Sequence, residues 1–340
     1  MTALLDALDR RFVGALHIAP RASWDDLASI LVADPSTLKR RYDRLLRDRV
    51  LRVIGQLSWG MHSTSMPVHV FLDIVGDTPL AVIERLRGLP HMQNLAQLSG
   101  RYPVYASVHA PSEEATSRAV DQLFATPGIR RVSALPSLRT VRRGSFWDPQ
   151  FVTPTEREEL VALADVAAPG DSNTVSPNKP LTAQERAAVS ALVRDGRATA
   201  ASVGRAGGLS ASAAHRLVRR ILTEGWVKPR VEIQPESLGF FCNFHLRLRV
   251  RPGRTPDVLA MLATMSQVRL AAHVAGDMSV LCAGVVADRA ELAAFLDRQV
   301  ADIPEVDIAA VDVVLAERRR YWLDRDPVRG LGSFTPPELN

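Results

Sequence analysis

The sequence carries two short stretches in which basic side chains recur at helical spacing. Each stretch also has apolar residues at positions i, i+4 and i+7, so a helix would bury one face and present the basic side chains on the other. Arginine forks match phosphate oxygens and guanine edges, although a solvated helix face in an arginine-rich protein gives the same pattern. The side chains placed to contact DNA are Ser36, Lys39, Arg40, Arg41, Arg44, Arg47, Ser212, His215, Arg216, Arg219 and Arg220.

Catalytic and metal-binding signatures are missing from the sequence. It has no GxSxG, HExxH, Walker A or dinucleotide-binding glycine pattern. Cys242 and Cys282 stand far apart and outside any CxxC pattern, so we expect both to be small buried residues. His69 and His245 occupy matching strand positions, where we expect partly buried side chains rather than metal ligands. These observations predict a protein that is not an enzyme and that needs no metal or cofactor.

The second basic stretch is predicted to be the last of three helices. A capping-box pattern starts a first helix at Thr182, a short helix follows at Thr199–Ala206, and the turn Gly207–Leu209 leads to a third helix at Ala211–Glu224. The first stretch repeats this order with Asp34 as the cap, but its turn contains no glycine. Three short helices that end in a basic one indicate a helix-turn-helix unit.

Both helical stretches belong to an internal repeat. A shift of 176 residues, which becomes 177 after one extra residue, superposes the first half of the chain on the second. Self-similarity of this kind indicates two copies of one structural unit. Matched pairs include Arg40 with Arg216, Arg44 with Arg220, His69 with His245, and Gly100 with Gly276.

Each helical unit is followed by one strand and then by the order βαββαβ, which is that of a ferredoxin-like sandwich. The predicted fold class is therefore α+β, with two copies of a winged-type helix-turn-helix followed by a ferredoxin-like domain. Phe244, Leu246, Leu248 and Val250 alternate on one strand, and we expect their apolar face to pack on a second such sheet within or between chains. The predicted domains are two helix-turn-helix domains at 1–60 and 181–235, two ferredoxin-like domains at 66–143 and 240–320, a linker at 144–180 and a C-terminal tail at 324–340.

The segments outside the repeats are rich in proline and glycine. Within the linker we predict a short helix at Pro154–Ala167 and a flexible stretch that ends at Pro180. The tail is expected to be an extended arm or disordered.

This organisation resembles the Lrp/AsnC family of bacterial transcription regulators, in a tandem form that covers both halves of the chain. The residues that carry the resemblance are Gly208-Leu209-Ser210, Arg216–Ile221 and Ala275-Gly276-Asp277. It implies sequence-specific binding of double-stranded DNA, modulated by a small effector such as an amino acid. A usual family member has one such unit and dimerises through its α+β domain, so this chain is expected to be a homo-oligomer or an intrachain pseudo-dimer.

The resemblance also implies an effector site near the hairpin of each α+β domain, at the interface between paired domains. In the second copy Asp277 would accept a hydrogen bond from an effector ammonium group, whereas the first copy has no acid at this hairpin. The effector-binding residues implied in this way are Gly276, Asp277, Met278, Ser279, Gly100 and Arg101.

Two alternative functions are left open by the sequence. Siroheme decarboxylases also resemble paired Lrp/AsnC units, but they carry a histidine-asparagine-tyrosine-arginine type segment at the hairpin, where this chain has Ser99–Tyr102 and Ala275–Met278. An architectural DNA-binding protein without an effector would bind in a salt-dependent but sequence-insensitive way.

The composition is that of a globular protein, with 46% hydrophobic residues, 23% charged residues and a net charge of +5. Only three of the 42 basic residues are lysines, which suits phosphate and guanine recognition but is also what a GC-rich genome produces. The longest apolar stretch, Met278–Ala287, is too short to cross a membrane. We expect a cytoplasmic, nucleoid-associated protein with no membrane partner.

Overall fold

The computed structural model describes residues 4–144, 147–164 and 179–339. They form two compact units, and each unit takes residues from both halves of the sequence. The sheet unit contains Thr64–Trp147 and Pro235–Thr335, and the helical unit contains Leu5–Ser63, Asp148–Gln234 and Pro336–Asn340. The helical domains of both copies therefore form one unit, and the ferredoxin-like domains of both copies form the other.

The elements of the helical unit are α1 (Ala7–Ile18), α2 (Trp24–Leu31), α3 (Pro35–Arg47), β1 (Leu51–Leu57), α6 (Pro154–Leu163), α7 (Ala183–Arg194), α8 (Ala200–Gly207), α9 (Ala211–Thr223) and β6 (Val227–Ile233). Helices α1–α3 form the first head, and α7–α9 form the second. Asp34 caps α3 and Ser210 caps α9, because a short polar side chain accepts a hydrogen bond from a free N–H of the first turn. The predicted helix-turn-helix order is present in both copies.

The turn before the third helix has the same backbone conformation in both heads, although the residues differ. Val32 has a φ of 52° and Gly208 a φ of 64°, so both lie in the left-handed region. Glycine adopts this region without strain, whereas a β-branched residue is strained there. The first head therefore forms the turn without the glycine that a sequence reading looks for.

The elements of the sheet unit are β2 (Val68–Ile74), α4 (Pro79–Arg87), β3 (Met92–Leu98), β4 (Val104–Val108), α5 (Glu113–Phe124), β5 (Ile129–Arg142), β7 (Cys242–Val250), α10 (Thr255–Thr264), β8 (Val268–Val274), β9 (Val280–Val286), α11 (Arg289–Phe295) and β10 (Val306–Arg320). A π-helical turn, Leu296–Val300, extends α11. Each copy has the predicted order βαββαβ, and its strands lie in the ferredoxin-like order. The predicted fold class is confirmed.

Strands of both copies close into one ring in the described part of the chain. The ring runs β2-β4-β3-β10-β7-β9-β8-β5 and returns to β2. The first part of β5 pairs with β2 of its own copy, and its end, Ser137–Arg142, pairs with β8 of the other copy. Strand β10 does the same with β7 and β3. Because the ring is closed, the backbone N–H and C=O groups at the strand edges are paired within one chain. In a single copy, this pairing would need a second chain.

The helices cover the outer face of this ring. Phe244, Leu246 and Leu248 pack with residues of α10 and α11, including Leu259 and Phe295. The expectation that this apolar face meets a second sheet is therefore wrong. The face that turns to the other copy is the opposite one, because successive side chains of a strand point to opposite sides.

The C-terminal tail forms a hairpin, which corrects the expectation of an extended or disordered arm. Strand β11 (Leu323–Asp326) pairs with β10 and with β12 (Gly330–Phe334). The Asp326 carboxylate accepts hydrogen bonds from the backbone N–H groups of Val328 and Arg329, which fixes the turn between the two strands.

The segment between the copies contains the predicted helix, α6, which ends at Leu163 instead of Ala167. Most of the predicted flexible stretch, from 165 to 178, lies outside the described residues. In the helical unit, Phe151 and Val152 contact α1 at Gly14, and Glu156 of α6 forms an ion pair with Arg11. The start of the linker is therefore packed against the first head.

Candidate functional site

The two heads contact each other through equivalent arginines. Arg21 donates hydrogen bonds to the carbonyl oxygens of Gly196 and Ala198, at 2.6 and 3.1 Å. Arg197, which is 176 residues further on, donates to the carbonyl oxygens of Pro20 and Ala22, at 2.7 and 2.9 Å. Each arginine thus makes on the other head the contact that its counterpart makes in return. This reciprocity is the signature of an isologous, two-fold interface, here within one chain.

Strand pairing between the heads follows the same pseudo-symmetry. Strands β1 and β6 are antiparallel, and Ile54 lies opposite Arg230, its own counterpart in the repeat. The pseudo-two-fold axis therefore passes between these two residues. Arg197 also lies over the ring of Trp24, with 4.2 Å between the guanidinium carbon and the ring centroid. Together these contacts hold α3 and α9 in equivalent places on the helical unit.

Two of the arginines expected to contact DNA from α3 are engaged by carboxylates of the first head. Arg41 donates to Asp6 at 2.6 Å and to Asp9 at 2.8 Å, and Arg44 donates to Asp9 at 2.5 Å. Asp9 lies in α1, and its side chain is only 2% exposed. Arg41 and Arg44 are therefore engaged within the first head, because the buried Asp9 carboxylate needs their charge, and their contact with DNA stays a prediction.

Helix α9 repeats the second of these ion pairs. Arg220 donates to Glu185 of α7, and its guanidinium carbon lies 5.1 Å from the centroid of the Trp226 ring. Hydrogen bonds from Thr182, together with Arg220, hold the pKa of Glu185 below its usual value. Glu185 is the counterpart of Asp9, so the same bond ties the third helix to the first in both heads. Arg44 and Arg220 are thus structural links.

The remaining basic residues of the third helices are exposed. In the described part of the chain, no hydrogen bond or ion pair joins Arg40, Arg47, His215, Arg216 or Arg219 to another side chain, and Lys39 is bonded to Asp43. The hydroxyl of Ser36 donates to Asp34, while Ser212 lies 3.4 Å from Ser210. Exposed and unengaged cations can bind phosphates without first losing an internal partner.

The two predicted effector hairpins lie on different parts of the ring. Gly276, with a φ of 131°, packs against Leu135 of the other copy, and Asp277 beside it is exposed. Met278 is buried, and the Ser279 hydroxyl is bonded to the Val250 backbone. Met278 and Ser279 are therefore committed to the fold, and Asp277 is the free polar group of this hairpin.

The hairpin of the first copy packs against a charged residue, whereas the hairpin of the second copy packs against a leucine. Gly100 is in close contact with Asp312 of β10, and a side chain at position 100 would overlap the Asp312 carboxylate. Arg101 next to it is exposed. Asp312 is the counterpart of Leu135, so the two hairpin environments have diverged. The two hairpins therefore contact different strands, Gly100 packing on β10 and Gly276 on β5.

A polar cluster inside the ring was missed at the sequence level. Arg247 pairs with Asp312 at 3.0 Å, and its guanidinium lies over the Phe71 and Tyr102 rings. Both members of the pair are buried. Burial raises the pKa of Asp312, while Arg247 acts to lower it. In the sequence, the signal for this cluster is Arg247, which stands between Leu246 and Leu248 and therefore points to the opposite face of the strand. The expectation that the leucine face meets the second sheet hides this signal.

Two histidines belong to the same interior. His69 is bonded through Nδ1 to the Tyr105 hydroxyl at 2.8 Å and through Nε2 to the Ser137 hydroxyl at 3.1 Å. The ring of His245 lies edge-on to Tyr105, with centroids 4.5 Å apart. Burial, with His245 nearby, lowers the pKa of His69 to about 3, and burial lowers the pKa of His245 to about 4. Both are therefore neutral near pH 7, as core residues.

Cys242 and Cys282 are buried and unpaired, which confirms the expectation for both. In the parts that the structure describes, no cluster of three or more histidine, cysteine, aspartate or glutamate residues could hold a metal ion. None of the described helices is long and apolar enough to cross a membrane.

Comparisons with known proteins give one family match and several structural similarities. Residues 244–321 match the model of the Lrp/AsnC ligand binding domain. The crystal structure of the siroheme decarboxylase NirDL is similar over 93% of each chain, with 13% identity and a TM-score of 0.57. Its complex with an iron-uroporphyrin III analogue is similar over 91% of this chain and 92% of that one, with 12% identity and the same TM-score.

The leucine response regulatory protein LrpA of Mycobacterium tuberculosis is 28% identical, with a TM-score of 0.36, over 40% of this chain and 93% of its own. Comparison by sequence with curated proteins gives no match.

The second ferredoxin-like domain is thus of the Lrp/AsnC ligand-binding type, and the tandem fold is that of NirDL. The prediction that the protein is not an enzyme is contradicted, because an enzyme shares this fold over 93% of both chains. The prediction rested on missing motifs that belong to enzymes with other folds, and such motifs carry no information about a decarboxylase of this architecture.

Proposed function

We propose that the chain is a sequence-specific DNA-binding transcription regulator of the Lrp/AsnC type, in which one chain supplies both recognition helices. The observation that carries this proposal is the isologous pairing of the two heads through Arg21 and Arg197. A two-fold pair of helix-turn-helix units suits two successive half-sites of a duplex, because both third helices can then approach the same side of the DNA.

The charge of the third helices supports DNA as the partner. Arg40 and Arg216 occupy equivalent exposed positions, and Arg219 and Arg47 add exposed charge to their own helices. Arginine binds phosphate oxygens and the O6 and N7 atoms of guanine in a bidentate way. In this proposal, three other arginines do not read the DNA but hold the third helices in place through ion pairs with carboxylates: Arg41, Arg44 and Arg220.

For the small-molecule partner, we propose an amino acid or a related compound at the hairpin of the second copy. The match of residues 244–321 to an Lrp/AsnC ligand binding domain supports this proposal. The exposed Asp277 carboxylate would accept a hydrogen bond from the ammonium group, next to a glycine that leaves the backbone accessible.

The first test is a fluorescence anisotropy titration of the purified chain. The DNA upstream of its own gene is compared with a scrambled duplex, at two salt concentrations, with and without pooled amino acids. Binding is expected to prefer the upstream DNA, to weaken with salt and to respond to the amino acids. Arg216→Ala should weaken binding, whereas Arg131→Ala, at an exposed position of the sheet unit, should not. Equal binding of both duplexes would favour an architectural protein, and an absence of binding at low salt would reject the proposal.

Tetrapyrrole decarboxylation is a second candidate function, favoured by the similarity to NirDL over the whole chain. The exposed Arg101 at one hairpin is a cation that a substrate carboxylate could bind. The test is to titrate the chain with iron-uroporphyrin III, follow the visible absorption, and look for carbon dioxide loss from siroheme by mass spectrometry. A shifted absorption band and a lost carboxyl group, both weakened in Arg101→Ala, would establish the enzyme.

A further inference from the structure

We infer that the two third helices read different bases, so that the preferred DNA site of this chain is asymmetric, with a cytosine favoured opposite Asp43 and a guanine favoured opposite Arg219. The inference rests on the proposed function. It concerns the sequence of the site, which the DNA-binding proposal leaves unspecified.

The structure places residues 176 positions apart in equivalent locations on the two heads. Both third helices have 13 residues, and both bury the same stripe, Leu38 and Tyr42 in α3 and Ala214 and Val218 in α9. Both are tied to the first helix of their head by the same ion pair. The heads are also related by the reciprocal arginine contacts. A difference in side chain between the two helices is therefore a difference at one position relative to the DNA.

Some positions of the exposed surface are shared by the two helices. Ser36 corresponds to Ser212, and Arg40 corresponds to Arg216. All four lie in the first half of their helix and are exposed. A recognition helix reads bases from the side that faces the major groove, beginning at its N-terminal residues. Asp43 and Arg219 lie three residues after Arg40 and Arg216, so they continue the same side of each helix. The two half-sites should therefore have a common element read by the shared arginine.

Other positions differ in a way that changes base preference. Asp43 corresponds to Arg219, and Lys39 corresponds to His215. Asp43 is 43% exposed and accepts a hydrogen bond from Lys39 at 2.7 Å. Its carboxylate has acceptors only, which suits the cytosine amino group, whereas the Arg219 fork has donors only and suits guanine. In a homodimer both helices would be identical, whereas the fused chain lets the halves diverge.

The inference is tested by selecting duplexes from a random library with the full-length chain and sequencing the bound fraction. The expected motif has two half-sites that share one element and differ at another, with cytosine enriched in one half and guanine in the other. A symmetric motif would overturn the inference while leaving DNA binding intact. An absence of enrichment would reject the proposed function itself.

Exchange variants give a matched test, because neither side chain belongs to the core: Asp43 is 43% exposed and bonded only to Lys39 of its own helix, and Arg219 is exposed. Asp43→Arg should replace the cytosine of one half by guanine and make the two half-sites alike at this position. Arg219→Asp should weaken binding to the original site by about 5- to 150-fold and relax the guanine preference. An unaltered motif in both variants, with unfolding temperatures like those of the unmodified chain, would overturn the inference.

Discussion

At the scale of single residues, the third helices contain two kinds of arginine that the sequence alone does not separate. Arg44 and Arg220 look as exposed as Arg40 and Arg216 on a helical projection, yet each is bonded to a carboxylate of its own head. The partners, Asp9 and Glu185, are far away in sequence. Only the packing of the first helix on the third brings the charges together, so the sequence alone does not show which arginines are engaged within the protein.

Removing the Asp9 carboxylate should destabilise the helical unit. In Asp9→Ala, Arg41 and Arg44 lose their partner on α1, and a buried site is left facing two like charges. We expect the free energy of unfolding to fall by about 2–4 kcal/mol, measured by urea denaturation. The control is Asp25→Ala, at an exposed position of α2. An equal effect of the two substitutions would show that Asp9 is not a structural anchor.

Stability should depend on pH through His69 and His245. Their folded-state pKa values, about 3 and about 4, lie below the ordinary histidine value of about 6.5, so the unfolded chain binds protons more readily. The stabilisation is complete above about pH 6.5 and is lost as the pH falls towards 4. Between pH 7.5 and pH 5 we expect each histidine to cost about 2 kcal/mol of unfolding free energy.

The histidine dependence is checked by denaturation at both pH values. The double variant His69→Gln, His245→Gln should lose most of this pH dependence, whereas His215→Gln, at an exposed position, should keep it. If the double variant responds to pH like the unmodified chain, other groups must be responsible.

At the scale of elements, local sequence patterns predict where helices and strands begin and end, but not what each face of a strand packs against. The third helix of the second copy, predicted at Ala211–Glu224, is found at Ala211–Thr223, because periodicity and the polar cap are local signals. What packs on each face of a strand is set by residues far away in the sequence. The sequence therefore predicts that the Phe244 face meets the other copy, whereas the Arg247 face does so. The proline and glycine of the tail indicate disorder in the sequence, but Asp326 and Gly330 are also typical turn residues, and here they close a hairpin.

Strand β1 and helix α7 approach each other closely at Gly55. A Cβ at Gly55 of β1 would lie 2.5 Å from the carbonyl oxygen of Leu192 in α7 and 2.5 Å from Cγ1 of Val227. Backbone atoms of a packed helix cannot yield locally, so Gly55→Ala should lower the free energy of unfolding by about 1–3 kcal/mol. Gly88→Ala is the control, since its Cβ would have 3.4 Å to the nearest atom. A loss no larger than that of the control would show that α7 adapts freely.

At the scale of the whole molecule, the closed ring makes each copy incomplete without the other. A fragment of residues 1–143 would leave the end of β5 and the outer side of β3 without their partners, β8 and β10. Because the two copies pair by the same pattern, two identical fragments can close the same ring. We expect light scattering to show a fragment dimer or larger assembly. A folded monomeric fragment would contradict the intrachain pseudo-dimer.

The most direct test of the account compares two double variants by DNA affinity and by unfolding free energy. In Arg40→Ala, Arg216→Ala, the account predicts weaker DNA binding with unchanged stability, because these side chains are exposed and have no internal partner in the described chain. In Arg44→Ala, Arg220→Ala, it predicts lower stability, because both ion pairs to the first helices are lost. Unchanged DNA affinity in the first variant would contradict the central claim that these helices bind DNA.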